Sequence, residues 1–127
     1  MTTTSMAIKM REPKVLHLVL KGQWYDMISQ GINTEEYREV KPYWSRRLIR
    51  RETPIVPQRK GHVSCNDNGY THVRFHHGYT SRSMIFELRD IRIGRGRKEW
   101  GAPESSAYII TLGKRCQETT DNNNQPT

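Results

Sequence analysis

The chain has 127 residues, with 21 basic side chains against 13 acidic ones and a net charge of +8. That length suits one domain with a single core, and no run is apolar for long enough to cross a bilayer as a helix. The charge balance favours polyanionic partners, through phosphate contacts and counterion release.

The N-terminus lacks the apolar stretch of a signal peptide. Cys65 and Cys116 are not spaced as a disulfide framework, so a soluble, cytoplasmic protein without a membrane partner is expected. Residues 1–12 are polar, Thr-rich and unpatterned and read as a mobile leader. The domain is expected over 13–115, and the Asn-rich 116–127 reads as a disordered tail.

In chain order, Leu16, Leu18 and Leu20 alternate with Val15, His17 and Val19, the period of a strand buried on one face. Leu20, Trp24, Met27 and Ile28 then fall at helical spacing, and Gly31 can stop that helix in the left-handed conformation. From Glu35 to Val40 the chain is extended again, with Glu36 and Arg38 on one face and Glu35, Tyr37 and Glu39 on the other. Pro42 ends this segment. Tyr43 to Arg51 can form a short helix with Ser45 as a cap, which would make Arg46 and Arg50, and Arg47 and Arg51, neighbours on its surface.

Pro54, Pro57 and the sequence Arg59-Lys60-Gly61 mark a connecting loop, and Asn66-Asp67-Asn68-Gly69 marks a turn. Val73 and Phe75 point one way along Thr71–His77, and His72, Arg74 and His76 the other. Met84, Phe86 and Leu88 form a core strand whose apolar parity switches at Ile91 and Ile93, so a β-bulge is expected near Arg89-Asp90. Gly94 to Lys98 is a basic loop, expected to be mobile and lacking the context of a dinucleotide fingerprint. Tyr108, Ile110 and Leu112 make the last strand.

Several of these segments, taken in order, resemble the ASCH domain family of the PUA-like superfold. Gly31 to Arg38 (GINTEEYR) is similar to its G-x-K-x-x-E-x-R signature. Lys41-Pro42-Tyr43-Trp44, His77-Gly78-Tyr79, Phe86–Gly94, Trp100-Gly101-Ala102-Pro103 and Tyr108–Gly113 follow in the family's order. Asn33 stands where the family carries a lysine. Pattern and resemblance together imply an α+β fold: a small mixed β-barrel of about five to six strands, with one or two short helices packed at its opening.

The resemblance also implies a cleft lined by Asn33, Glu36 and Arg38. Glu36 offers acceptor oxygens, or a general base if its surroundings raise its pKa. Arg38 offers a fork for a phosphate or for Glu36 itself, in which case the two form a structural ion pair. Tyr43 can stack a base while Arg46, Arg47, Arg50 and Arg51 meet phosphates, with Arg74 as a further contact. Lys21, at the start of the first helix, can stand in for the missing lysine.

His72 and His76 share a strand face about 13 Å apart, too far to hold one zinc through bonds of about 2 Å. No metal site and no cofactor is expected. Two functions follow from this set of residues. The first is an RNA-binding module, recognising RNA or a nucleotide in a basic cleft. The second, which the resemblance implies, is a small hydrolase, a ribonuclease or an amidohydrolase on modified nucleosides, with Glu36 as general acid/base. Asn33 argues against the second, because an amide neither carries a catalytic proton nor supplies charge.

Overall fold

The computed structural model describes residues 12–50 and 65–118. Within them the alternating leucines build the first strand, β1 (Val15–Leu20): Leu16, Leu18 and Leu20 are buried, and His17 and Val19 face out. Helix α1 (Gly22–Ser29) follows, and Gly31 at φ 79° reverses the chain beyond it. Strand β2 (Glu35–Glu39) comes next, then helix α2 (Pro42–Leu48). The second half supplies β3 (His72–His77), the long β4 (Ser83–Gly94), a single 3-10 turn (Lys98–Trp100) and β5 (Ala107–Arg115).

The fold is α+β, a five-stranded, curled half-barrel sheet with two short helices. The strand order is β1-β3-β4-β5-β2; β1 runs parallel to β3 and every other pair is antiparallel. Its concave side encloses Leu16, Leu18, Val73, Phe75, Met84, Ile91, Tyr108 and Ile110 with Tyr25 and Ile28 of α1 and Leu48 of α2. The expected bulge is present. The β4–β5 register shifts on both sides of Leu88, which lets one long strand turn its apolar side from Phe86 to Ile91 and stay on the core.

Two local expectations are corrected. In α1 the buried residues are Tyr25 and Ile28, while Trp24 and Met27 are only half covered. The helix is set so that Tyr25 meets the His77 ring edge-on at 4.8 Å, which turns Trp24 out of the core. In α2, Pro42 opens the helix, since its fixed φ and missing N–H suit a first turn. Ser45 therefore lies inside the helix and caps nothing; its buried hydroxyl sits 2.6 Å from Tyr108 Oη. Ile49 closes the helix and Arg50 takes φ 63°, so Arg50 leaves the surface on which it was expected beside Arg46. Arg51, the Pro54–Pro57 loop, the leader up to residue 11 and the tail from residue 119 lie outside the described residues.

Candidate functional site

A curled sheet that does not close leaves a seam between its edge strands, here β1 and β2. One side chain spans it. Arg38, on β2, donates from Nη2 to the carbonyl oxygen of Val19 on β1 at 3.1 Å, and from the same nitrogen to Glu36 Oε2 at 3.0 Å. Beside this bridge lies a cavity of about 270 Å³. Val19, Leu20 and Lys21 line it from β1 and the start of α1, and Trp24 lines it from α1 itself. Glu36, Tyr37 and Arg38 contribute from β2, and Trp100 and Gly101 from the segment after the 3-10 turn.

The two faces of β2 do different work. Tyr37, on the face opposite Glu36, donates to Glu35 at 2.8 Å and accepts from the Arg97 backbone N–H at 3.1 Å. Burial, opposed by that Arg97 bond and assisted by Glu35, pushes the Tyr37 hydroxyl up to about 12. A Cβ on Gly96 would lie 2.2 Å from the Tyr37 ring, so only glycine lets the loop sit there. The basic loop expected to be mobile is thus clamped on Tyr37, and the clamp holds the next turn in place. Gly101, at φ 97°, brings the backbone against Trp24, whose ring would lie 3.1 Å from an added Cβ.

Glu36 is 8 % exposed. Burial pushes its carboxyl up to about 7, against the charge of Arg38, the Tyr37 backbone N–H and the Arg38 hydrogen bond, all of which favour the carboxylate. Near neutral pH the group therefore exchanges between an acceptor-only carboxylate and a carboxylic acid that can donate. The Arg38 guanidinium also lies 5.0 Å from the Trp44 ring centre, and its Nε is buried without a hydrogen-bond partner.

Of the residues singled out from sequence, Lys21, Glu36 and Arg38 meet at this cavity. Lys21 is exposed and lines the same cavity as Glu36. Asn33 does not line it. That residue is 2 % exposed and neither atom of its amide is hydrogen-bonded, because the turn after α1 folds it inward.

Tyr43 is exposed but lies outside the cavity, with the Arg47 guanidinium 3.6 Å over its ring and Trp44 edge-on at 4.8 Å. Arg46 and Arg47 are exposed on α2, and Arg50 is exposed beyond its end. Arg74 is not a phosphate contact poised for use: it donates to the Glu118 carboxylate and to Ser83 Oγ, both at 2.9 Å, so its charge is offset.

Trp24, expected on a core-facing stripe, lines the cavity too, as do Trp100 and Gly101, which were given no site role. Trp100-Gly101 stands among the segments that carry the family resemblance, and that was its one signal. No protein-family model, no curated protein and no solved structure matches this chain.

Proposed function

We propose that the chain is a nucleic-acid recognition module of the ASCH type, and that the seam cavity takes a single unstacked nucleobase of RNA or of a nucleotide. The observation that carries this reading is the pairing of two indoles, Trp24 and Trp100, with the Glu36–Arg38 pair around one small cavity. Indoles offer stacking surface to any base, and a carboxyl with a guanidinium offers acceptors and donors to a base edge. A volume of about 270 Å³ lies just below the usual range of ligand pockets, which suits one base and not a folded polymer.

The chain flanking that base has a route out. Arg38, Trp44, Tyr43 and Arg47 form a series of two rings between two cations, at 5.0, 4.8 and 3.6 Å, from the cavity to the surface of α2. Arg46 and Arg47 stand at that surface and Arg50 is exposed beyond the helix end, where phosphates would be met. The test is affinity for fluorescent single-stranded and hairpin RNA at two salt concentrations, with wild type and Arg38→Ala side by side. Salt-sensitive binding that weakens in Arg38→Ala supports the reading; equal affinity in the two proteins refutes the site, and no binding to any RNA refutes the function.

One observation favours a second reading, the hydrolase. A carboxyl that titrates near 7 on a cavity wall is matched to general acid/base work at neutral pH. Lys21, which lines the same cavity, would supply a cation for a developing negative charge. Turnover of the bound RNA or nucleoside, abolished in Glu36→Gln while binding persists, would assign the activity to this carboxyl.

A further inference from the structure

Away from the seam, two imidazoles from neighbouring strands converge. His17 of β1 and His76 of β3 lie with Nδ1 and Nε2 3.0 Å apart, ring centres 5.2 Å apart and planes inclined by 23°. The parallel register sets His17 beside Arg74 and Val19 beside His76, so the contact is diagonal across the pair of strands. Sequence spacing along β3 alone compares His72 with His76 and finds them too far apart. The partner comes from the adjacent strand.

The hydrogen bond between the rings holds one proton on one of the facing nitrogens. In neutral imidazole that proton can equally sit on the outer nitrogen, which leaves both facing atoms with a lone pair. Two nitrogens bound at about 2.0–2.1 Å to one ion, at angles from square to tetrahedral, are themselves about 2.9–3.4 Å apart. The observed 3.0 Å falls within that interval. Since the 5.2 Å between ring centres sets each nitrogen facing the other, both rings turn about their side-chain bonds, with the backbone in place, to aim the two lone pairs at one ion. We propose that His17 and His76 form a bidentate site for a borderline divalent transition metal, Zn²⁺, Ni²⁺ or Cu²⁺, with water completing the coordination.

Imidazole is the ligand type suited to those ions. Burial, then the neighbouring His17 and Arg74, hold His76 below the usual histidine range, so the neutral, ligating form prevails near pH 7. Arg74, whose charge acts on His76, is turned to Glu118 and Ser83. No group of three ligating side chains converges among the described residues, so the ion is held by two and keeps open positions, as exchangeable sites do and closed structural sites do not. Val19 lies in register with His76 and also lines the seam cavity, so the ion adds its charge beside that rim.

The test is calorimetric titration of the full chain at pH 7.5 with NiCl₂ and with ZnCl₂, for wild type, His17→Gln, His76→Gln and His72→Gln. One ion per chain is expected in wild type, with affinity at least ~10-fold lower in His17→Gln and in His76→Gln, since each leaves a single imidazole, and unchanged in His72→Gln. Binding to wild type weakens as the pH is lowered, because protons compete with the ion for the ligating nitrogens. Absence of saturable binding to wild type, or binding that survives both His17→Gln and His76→Gln, overturns the proposal. Should a variant not fold, substoichiometric Cu²⁺ added to wild type decides by NMR: selective broadening of the His17 and His76 ring signals supports the site, and broadening elsewhere in their place rejects it.

Discussion

Arg38 on β2 and Val19 on β1 are joined by a single 3.1 Å hydrogen bond from a guanidinium to a backbone carbonyl, and no other hydrogen bond among the described residues ties the two edges of the sheet together. Backbone pairing closes the other four strand junctions; this one is closed by a side chain. The consequence is a seam with room beside it, and the cavity occupies that room.

Glu36 makes stability depend on pH in a definite direction. Its pKa rises from 4.5 in the unfolded chain to about 7 in the folded one. The folded protein thus binds the proton more tightly, and the stability this contributes is full below about pH 4.5 and is lost as pH rises through about 7. The shift corresponds to roughly 3 kcal/mol at most. Glu36→Gln keeps the shape and has no proton to lose, so it matches wild type near pH 4 and exceeds its stability at pH 8. Urea unfolding of both proteins across this range checks the crossing; parallel curves would place the titration elsewhere.

The clamp on Tyr37 is open to a double-mutant cycle. Gly96→Ala drives a methyl into the Tyr37 ring, at an expected cost of about 1–3 kcal/mol from overpacking. In a Tyr37→Ala background the same substitution meets no ring, and its cost falls towards zero. Thermal melts of the four proteins measure the coupling. Additive effects would mean that the loop does not rest on Tyr37.

Ser45 and Tyr108 form a buried hydroxyl pair at 2.6 Å, which predicts an asymmetry. Tyr108→Phe leaves the buried Ser45 hydroxyl without this bond and Ser45→Ala removes the same bond from Tyr108, each costing about 1–3 kcal/mol. The double variant loses both polar groups and is destabilised by less than the two single effects added together. Denaturant midpoints at constant m-value test this, and strict additivity would show that the two groups do not depend on each other.

Asn33 carries the opposite expectation. Its amide is buried with neither atom hydrogen-bonded, so Asn33→Leu, of similar shape and without the polar atoms, stabilises the protein by about 1 kcal/mol or more. A destabilised Asn33→Leu would reveal that the amide is satisfied in solution.

Much of the fold could be read from the sequence because its signals are local. Alternation in β1, β3 and β4 follows from the two-residue period, and the parity change from Leu88 to Ile91 marks the bulge. The Glu36–Arg38 pair was legible for the same reason, since residues two apart on a strand share a face. Ser45 misled because a proline before a possible helix stops a strand and opens a helix equally well, and local pattern does not say which residue becomes the first turn.

The site was legible in Glu36 and Arg38 of β2 and in Lys21, and not in its aromatic walls. Trp24 and Trp100 are 76 positions apart in the chain, as their numbers give, and are brought to one cavity by the curl of the sheet and by the loop held on Tyr37. His17 and His76 meet through the parallel β1–β3 register, a pairing that no spacing along either strand encodes. Tyr43 and the α2 arginines carry the composition of a binding surface, yet do not line the cavity.

The most direct test of the seam as the nucleobase site is an NMR titration of ¹⁵N-labelled protein with the four ribonucleoside monophosphates. The readout is the indole N–H signals of Trp24, Trp44 and Trp100. Stacking in the cavity predicts saturable shifts of Trp24 and Trp100, larger than that of Trp44 and lost in Arg38→Ala. Saturable binding with Trp24 and Trp100 unmoved would contradict the placement, and no shift with any of the four would contradict base recognition itself.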